Sequence, residues 1–112
     1  MTISTHVLDT STGRPAASLS VRLQREDGAA WTDIWGGSTG ADGRIPALAP
    51  AGASLAAGAY RLMFDAGAYF QARGVESFYG VIAIDFIAAN PDSHYHVPLL
   101  LSPFGYSTYR GA

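Results

Sequence analysis

The chain has 112 residues, 48% hydrophobic and 14% charged, with a net charge of −2 at pH 7. That size and composition fit one folded domain over residues 1–112 and exclude a disordered chain. It holds no cysteine, and all seven basic residues are arginine. Disulfides, thiolate nucleophiles, sulfur-ligated zinc and side-chain Schiff bases are therefore excluded. The absence of a basic run argues against a nucleic-acid partner. The apolar runs fall short of a membrane span, so no membrane partner is expected. The opening "MTISTHVLDT" is polar and alternating, unlike a targeting peptide, and a cytoplasmic location is expected.

In chain order the punctuation is that of an all-β protein. "ISTHVLD" alternates, with Ile3, Thr5 and Val7 on one side and Ser4, His6 and Leu8 on the other. "GRPA" is a turn by its Gly and Pro. "SLSVRLQRE" alternates again, with Leu19, Val21 and Leu23 inward. Asp27 and Gly28 make a turn into a strand carrying Trp31 and Trp35. "STGADGRIPAL" and "APAGASLAAG" are loops by their Gly and Pro content, and "AYRLMFD" is the next strand. One helix is expected over residues 66–73, with Asp65 as its N-cap and Gly74 closing it. "VIAIDFI" is a strand, "NPDS" a turn, "HYHVPLLLS" a strand, "PFG" a turn and "YSTYRG" the final strand. Short strands at such regular spacing are the signature of a β-sandwich.

Two of the three histidines open the strand "HYHVPLLLS". On a strand, His94 and His96 share one face, and Tyr95 and Val97 share the other. Three readings stand open. The pair can end a strand in water; it can ligate zinc, as histidines two apart on a strand do; or one of them can serve as a general base near neutral pH. No second cluster of ligand spacings accompanies the pair, so a metal is not expected. His6, Arg44, Tyr109 and Arg110 each have a bland alternative as a surface, loop or terminal residue. Taken together, the histidines and arginines are concentrated at element ends in a chain poor in charge.

The segments "STHVLDTSTGRPA", "ADGRI", "YRLMFDAGAYF" and "HYHVPLLLSPFGYSTYRGA" resemble, in order and over nearly the whole chain, the transthyretin-like family. They are most similar to its enzyme branch, the 5-hydroxyisourate hydrolases, whose chains end in Tyr-Arg-Gly-Ser. The resemblance implies a sandwich of two four-stranded sheets with one short helix. It also implies a homotetramer of two-fold symmetries, with sites in a channel between dimers. By motif it carries the site onto His6, Arg44, His96 and Tyr109 as catalytic residues. Ser107 and Arg110 join His6, Arg44 and Tyr109 in substrate binding, and His94 lies nearer the edge of the motif. Two departures stand out: Ala112 replaces the terminal Ser, and Gly80 stands where a Pro is usual.

The implied reaction is metal-free, cofactor-free hydrolysis of 5-hydroxyisourate, a purine-derived ring, to 2-oxo-4-hydroxy-4-carboxy-5-ureidoimidazoline. Opening such a ring needs an activated water, oxyanion stabilisation and a proton for the leaving nitrogen. Ser38 stands in a G-x-S-x-G string, "GGSTG", but the string runs into a Gly-rich loop and not into the helix that a nucleophile elbow needs, so a nucleophilic serine is not suggested. Either His6 or His96 is the expected base, and Arg44 the expected partner of the developing anion. The alternative is a non-catalytic small-ligand binding protein of the transthyretin type, which would want an apolar channel. A sandwich interaction domain with no site is the third reading.

Overall fold

The computed structural model describes residues 1–112. Two sheets face each other. The first contains β1 (Thr2–Asp9), β2 (Arg14–Pro15), β5 (Arg44–Ile45), β8 (His94–Ser102) and β9 (Gly105–Thr108). The second contains β3 (Ser20–Asp27), β4 (Ala30–Ser38), β6 (Gly58–Asp65) and β7 (Val81–Ala88), in the order β4-β3-β6-β7. The expected sandwich is present, with one addition: the first sheet gains a fifth strand. "GRPA" and "ADGRI", expected as turn and loop, contribute two-residue strands that share one edge of β1. β2 pairs at Leu8 and Asp9 and β5 at Thr5 and His6, so both fit along a single strand of eight residues.

The alternation read from the sequence is the physical basis of the core. Ile3 and Val7 of β1, Val21 and Leu23 of β3, Leu62 and Phe64 of β6, and Leu99 and Leu101 of β8 are buried. They belong to one cluster of 21 buried residues filled from both sheets. Burying each large side chain contributes about 1.5–3 kcal/mol, which is what holds the two layers together. The intervening residues of β1 and β8 point to the outer face of the first sheet, and there the polar residues collect.

β1 and β8 run parallel at the centre of their sheet, with Thr2 opposite His94, Ser4 opposite His96 and His6 opposite Pro98. The helix α1 (Ala66–Gln71) starts as expected, the Asp65 carboxylate accepting from the Ala68 N–H at 3.2 Å. It stops two residues short of the expected end. The N–H groups of Gly74 and Val75 turn back onto the carbonyls of Gln71 and Phe70, with Gly74 at φ 67°. That left-handed turn favours glycine because a Cβ would meet the following carbonyl. The carbonyl of Gly80 accepts from the Gly67 N–H at 2.8 Å, which ties the lead into β7 to the start of the helix.

The last strand is shorter than expected. β9 stops at Thr108, where the next rung would fall on Pro98. Proline has no N–H to give the ladder, and the Thr108 hydroxyl takes the Pro98 carbonyl at 2.7 Å. The pairing resumes in the same register where Gly111 bridges His96, the Gly111 N–H donating to the His96 carbonyl at 2.8 Å. Tyr109 and Arg110 fall in the gap and leave the ladder. No helix is long and apolar enough to cross a membrane.

Candidate active site

The polar outer face of β1 and β8 opens into a cavity of about 340 Å³. It is lined by Ser4, Thr5, Arg44, Ile45, Pro46, His94, His96 and Ala112. Three independent pairings bring these residues together. The parallel register sets Ser4 beside His96. The short β5 rung sets Arg44 beside His6. The Gly111 bridge lays the chain end over His96 and carries Ala112 to the rim.

His96 is held from two directions. Its Nδ1 lies 2.7 Å from the Ser4 hydroxyl. The backbone of Gly111 lies against its ring so closely that a Cβ there would stand 2.5 Å from His96 Cδ2. Its Nε2 makes no hydrogen bond within the chain, so a ring nitrogen is left for a ligand or a water. Burial pushes the imidazole pKa below its ordinary 6.5, and the positive charges of Arg44, His94 and His6 push it the same way. At neutral pH this ring is an uncharged base.

Arg44 has its backbone fixed by the turn before it, its N–H donating to the Asp42 carboxylate at 3.0 Å. Its guanidinium has no hydrogen bond or ion pair within the chain. It therefore presents a free planar fork of donors to whatever enters. His6 occupies the same face but not the cavity wall. Its Nε2 lies 3.0 Å from the Asp42 carbonyl, which can only accept, so Nε2 carries the proton. His94 is more exposed than His96 and contacts both Thr2 and Ser4 through its two ring nitrogens.

The single chain does not bring every expected residue into this cavity. Ser107 pairs with Leu100 on the outer face, away from the cavity wall. Tyr109 and Arg110 line a separate, mostly apolar hollow of about 230 Å³ beside β7. There the Arg110 guanidinium sits 4.6 Å over the Tyr95 ring. Ser4 was missed as a site residue. Its only signal is its place two residues before His6 on the same face, and its pairing with His96 depends on a parallel register that no local pattern encodes. No three or more His, Cys, Asp or Glu side chains are grouped to hold a metal ion.

A two-sheet sandwich with imidazoles and a guanidinium gathered on the outer face of one sheet defines a transthyretin-fold protein with a polar site. The chain belongs to the HIUase/Transthyretin family, which it matches over residues 3–111. It is 50% identical to the 5-hydroxyisourate hydrolase of Mesorhizobium japonicum, over 98% of this chain and 91% of the relative. Among solved structures it is similar to the Klebsiella pneumoniae 5-hydroxyisourate hydrolase, with a TM-score of 0.87 and 42% identity over the full length of both chains. Sea bream transthyretin in complex with thyroxine superposes with a TM-score of 0.90 at 34% identity, covering 100% of this chain and 96% of the other.

Proposed function

We propose that this protein is a 5-hydroxyisourate hydrolase that opens its substrate by general-base attack of water. The observation that carries the reading is the pairing of an uncharged, hydrogen-bonded His96 with an unpaired Arg44 guanidinium in one cavity. His96 Nε2 draws the proton from water as its oxygen attacks the ring carbonyl. Arg44 faces the oxyanion that forms, where a planar cation is most effective. The ring acyl–nitrogen bond then breaks, and a proton is returned to the leaving nitrogen. His6, fixed with its proton on Nε2 and paired with Arg44 across β1 and β5, stands outside the wall of the single-chain cavity and leaves Nδ1 as an acceptor for substrate in the assembled channel. A carrier of an apolar ligand would need an apolar wall, whereas Ser4, Arg44, His94 and His96 bring a hydroxyl, a guanidinium and two imidazoles to this one. The relatives called 5-hydroxyisourate hydrolases favour the same side of that choice.

The working form is a homotetramer. Both sheets end on an open edge, β7 in one and β9 in the other. Val81 and Ile87 on β7, Tyr106 on β9 and Phe104 in the turn before it are exposed. Unpaired apolar edges are templates for joining a second copy. Ser107, Tyr109 and Arg110 are assigned to the assembled channel, since one chain does not turn them into its own cavity. Sedimentation velocity tests the assembly: a four-chain mass is expected, and a monomer sinks it. Carbon-13 NMR tests the reaction. Labelled urate, oxidised in place, is expected to pass to the ureidoimidazoline product faster with the protein than without it. Stoichiometric binding with no change in the rate of product formation would favour the carrier.

A further inference from the structure

A second concavity of about 420 Å³ lies beyond the first, and His94 lines both. Thr2 lines the outer groove and Ser4 the inner cavity. Between them runs an unbroken hydrogen-bonded chain. Thr2 Oγ1 contacts His94 Nδ1, His94 Nε2 lies 2.7 Å from Ser4 Oγ, and Ser4 Oγ lies 2.7 Å from His96 Nδ1. Resting on the hydrolase reading above, we propose that Thr2, His94, Ser4 and His96 form a proton relay between the reaction cavity and the outer groove, with His94 as its outer imidazole.

The chemistry of each member permits it. A serine hydroxyl has one proton and two lone pairs, so Ser4 donates to one imidazole and accepts from the other. In one arrangement His96 Nδ1–H donates to Ser4, Ser4 donates to His94 Nε2, and His94 Nδ1–H donates to Thr2. His96 Nε2 is then bare and faces the cavity. When the attacking water gives its proton to Nε2, the Nδ1 proton passes to Ser4. The Ser4 proton passes to His94 Nε2, the His94 Nδ1 proton to Thr2, and the Thr2 proton to water in the groove. Every group gains one proton and loses one. The leaving nitrogen then takes the Nε2 proton, the chain runs inward once, and all four residues return to their starting form. The new carboxylic acid ionises in solvent.

The relay has a physical purpose in this cavity. An imidazolium at His96 would stand beside Arg44 and His6, and burial already disfavours it. Passing a proton out at Nδ1 as one arrives at Nε2 avoids placing a second positive charge there. Ser4 is only 6% exposed, so bulk water does not replace it as the bridge.

The test compares kcat and KM for the wild type, His94→Ala, His94→Gln and Ser4→Ala, on fresh 5-hydroxyisourate in dilute buffer. Circular dichroism and sedimentation select the variants that keep the native fold and assembly. The relay predicts that each variant loses kcat on the order of 10-fold, below the about 10²–10⁴-fold of direct general acid–base assistance, with KM changed less than about twofold. In His94→Ala, added imidazole and methylimidazoles are expected to restore kcat, with a slope that follows buffer pKa. Ser4→Ala, cut at a buried link, is expected to show no rescue. If His94→Ala fails to fold, the loss in His94→Gln and Ser4→Ala decides the matter. Wild-type kcat in the folded variants, or a loss in His94→Ala that no buffer relieves, overturns the relay while leaving the hydrolase reading intact. A wild-type protein that does not speed substrate decay overturns both.

Discussion

Gly111→Ala isolates the contact that fixes His96. The added Cβ would stand 2.5 Å from His96 Cδ2, 3.1 Å from Cγ and 3.2 Å from Cβ. Carbon atoms in contact prefer about 3.5–4.0 Å, so ring and backbone must separate by about 1 Å. The ring cannot move that far and keep its 2.7 Å bond to Ser4. If the backbone yields instead, the 2.8 Å bond from Gly111 to the His96 carbonyl breaks and Ala112 leaves the cavity rim. A misplacement of about 1 Å at a catalytic group costs about 10²-fold in rate, and overpacking of this kind costs about 1–3 kcal/mol of stability. Decay of fresh 5-hydroxyisourate gives kcat and KM, and thermal denaturation gives Tm. The expected result is a fall in kcat near 10²-fold with a modest fall in Tm. Gly36→Ala is the control, because its nearest neighbour is Arg22 Cγ at 3.7 Å, an ordinary contact. Wild-type kcat in Gly111→Ala, with the fold intact, would refute the reasoning that this glycine positions the base.

Further outcomes follow from two single groups, His96 and Asp9. The folded pKa of His96 lies below 6.5, so kcat/KM should fall only as pH drops through a value under 6.5. Arg44→Gln removes one charge that depresses it, so the acid limb should move to higher pH while kcat falls, as a pH–rate profile would show. Stability follows the same sign: the unfolded histidine takes up a proton that the folded one resists, so this group's contribution is present above pH 6.5 and lost as pH falls below it. Asp9, 2% exposed, accepts hydrogen bonds from the Ser11 N–H, the Ser11 hydroxyl and the Tyr69 hydroxyl, the last at 3.0 Å. Tyr69→Phe leaves one buried carboxylate oxygen without that donor and should cost about 1–3 kcal/mol in denaturant unfolding. An unchanged midpoint would contradict the assigned role.

Much of the sandwich was legible because side-chain period and burial agree. Alternation in residues 3–9 and 19–25 places the buried apolar residues correctly, Ser4 being the buried exception on the other face, and the Asp65 cap marks the helix start. The two-residue strands at Arg14–Pro15 and Arg44–Ile45 were not legible, since each exists only because β1 offers an edge to it. The parallel partnership of β1 and β8 joins residues 92 positions apart, beyond any local signal. That partnership is what turns Ser4, a plain strand serine, into the bridge between His94 and His96. The interruption of the last strand had a visible cause, Pro98, but its effect falls on the partner strand, at Tyr109 and Arg110. Arg44 and His96 were legible through the family motif, and their meeting in one cavity is the consequence of pairings made far apart in the chain.

The most direct measurement follows the ultraviolet decay of 5-hydroxyisourate made in place by urate oxidase, with buffer alone, with the wild-type protein and with His96→Asn. The account predicts that the wild type shortens the decay and that His96→Asn lowers kcat by about 10²–10⁴-fold, the usual worth of a general base, with fold and assembly preserved. Decay at the spontaneous rate with the folded wild type, or undiminished catalysis by His96→Asn, would contradict it.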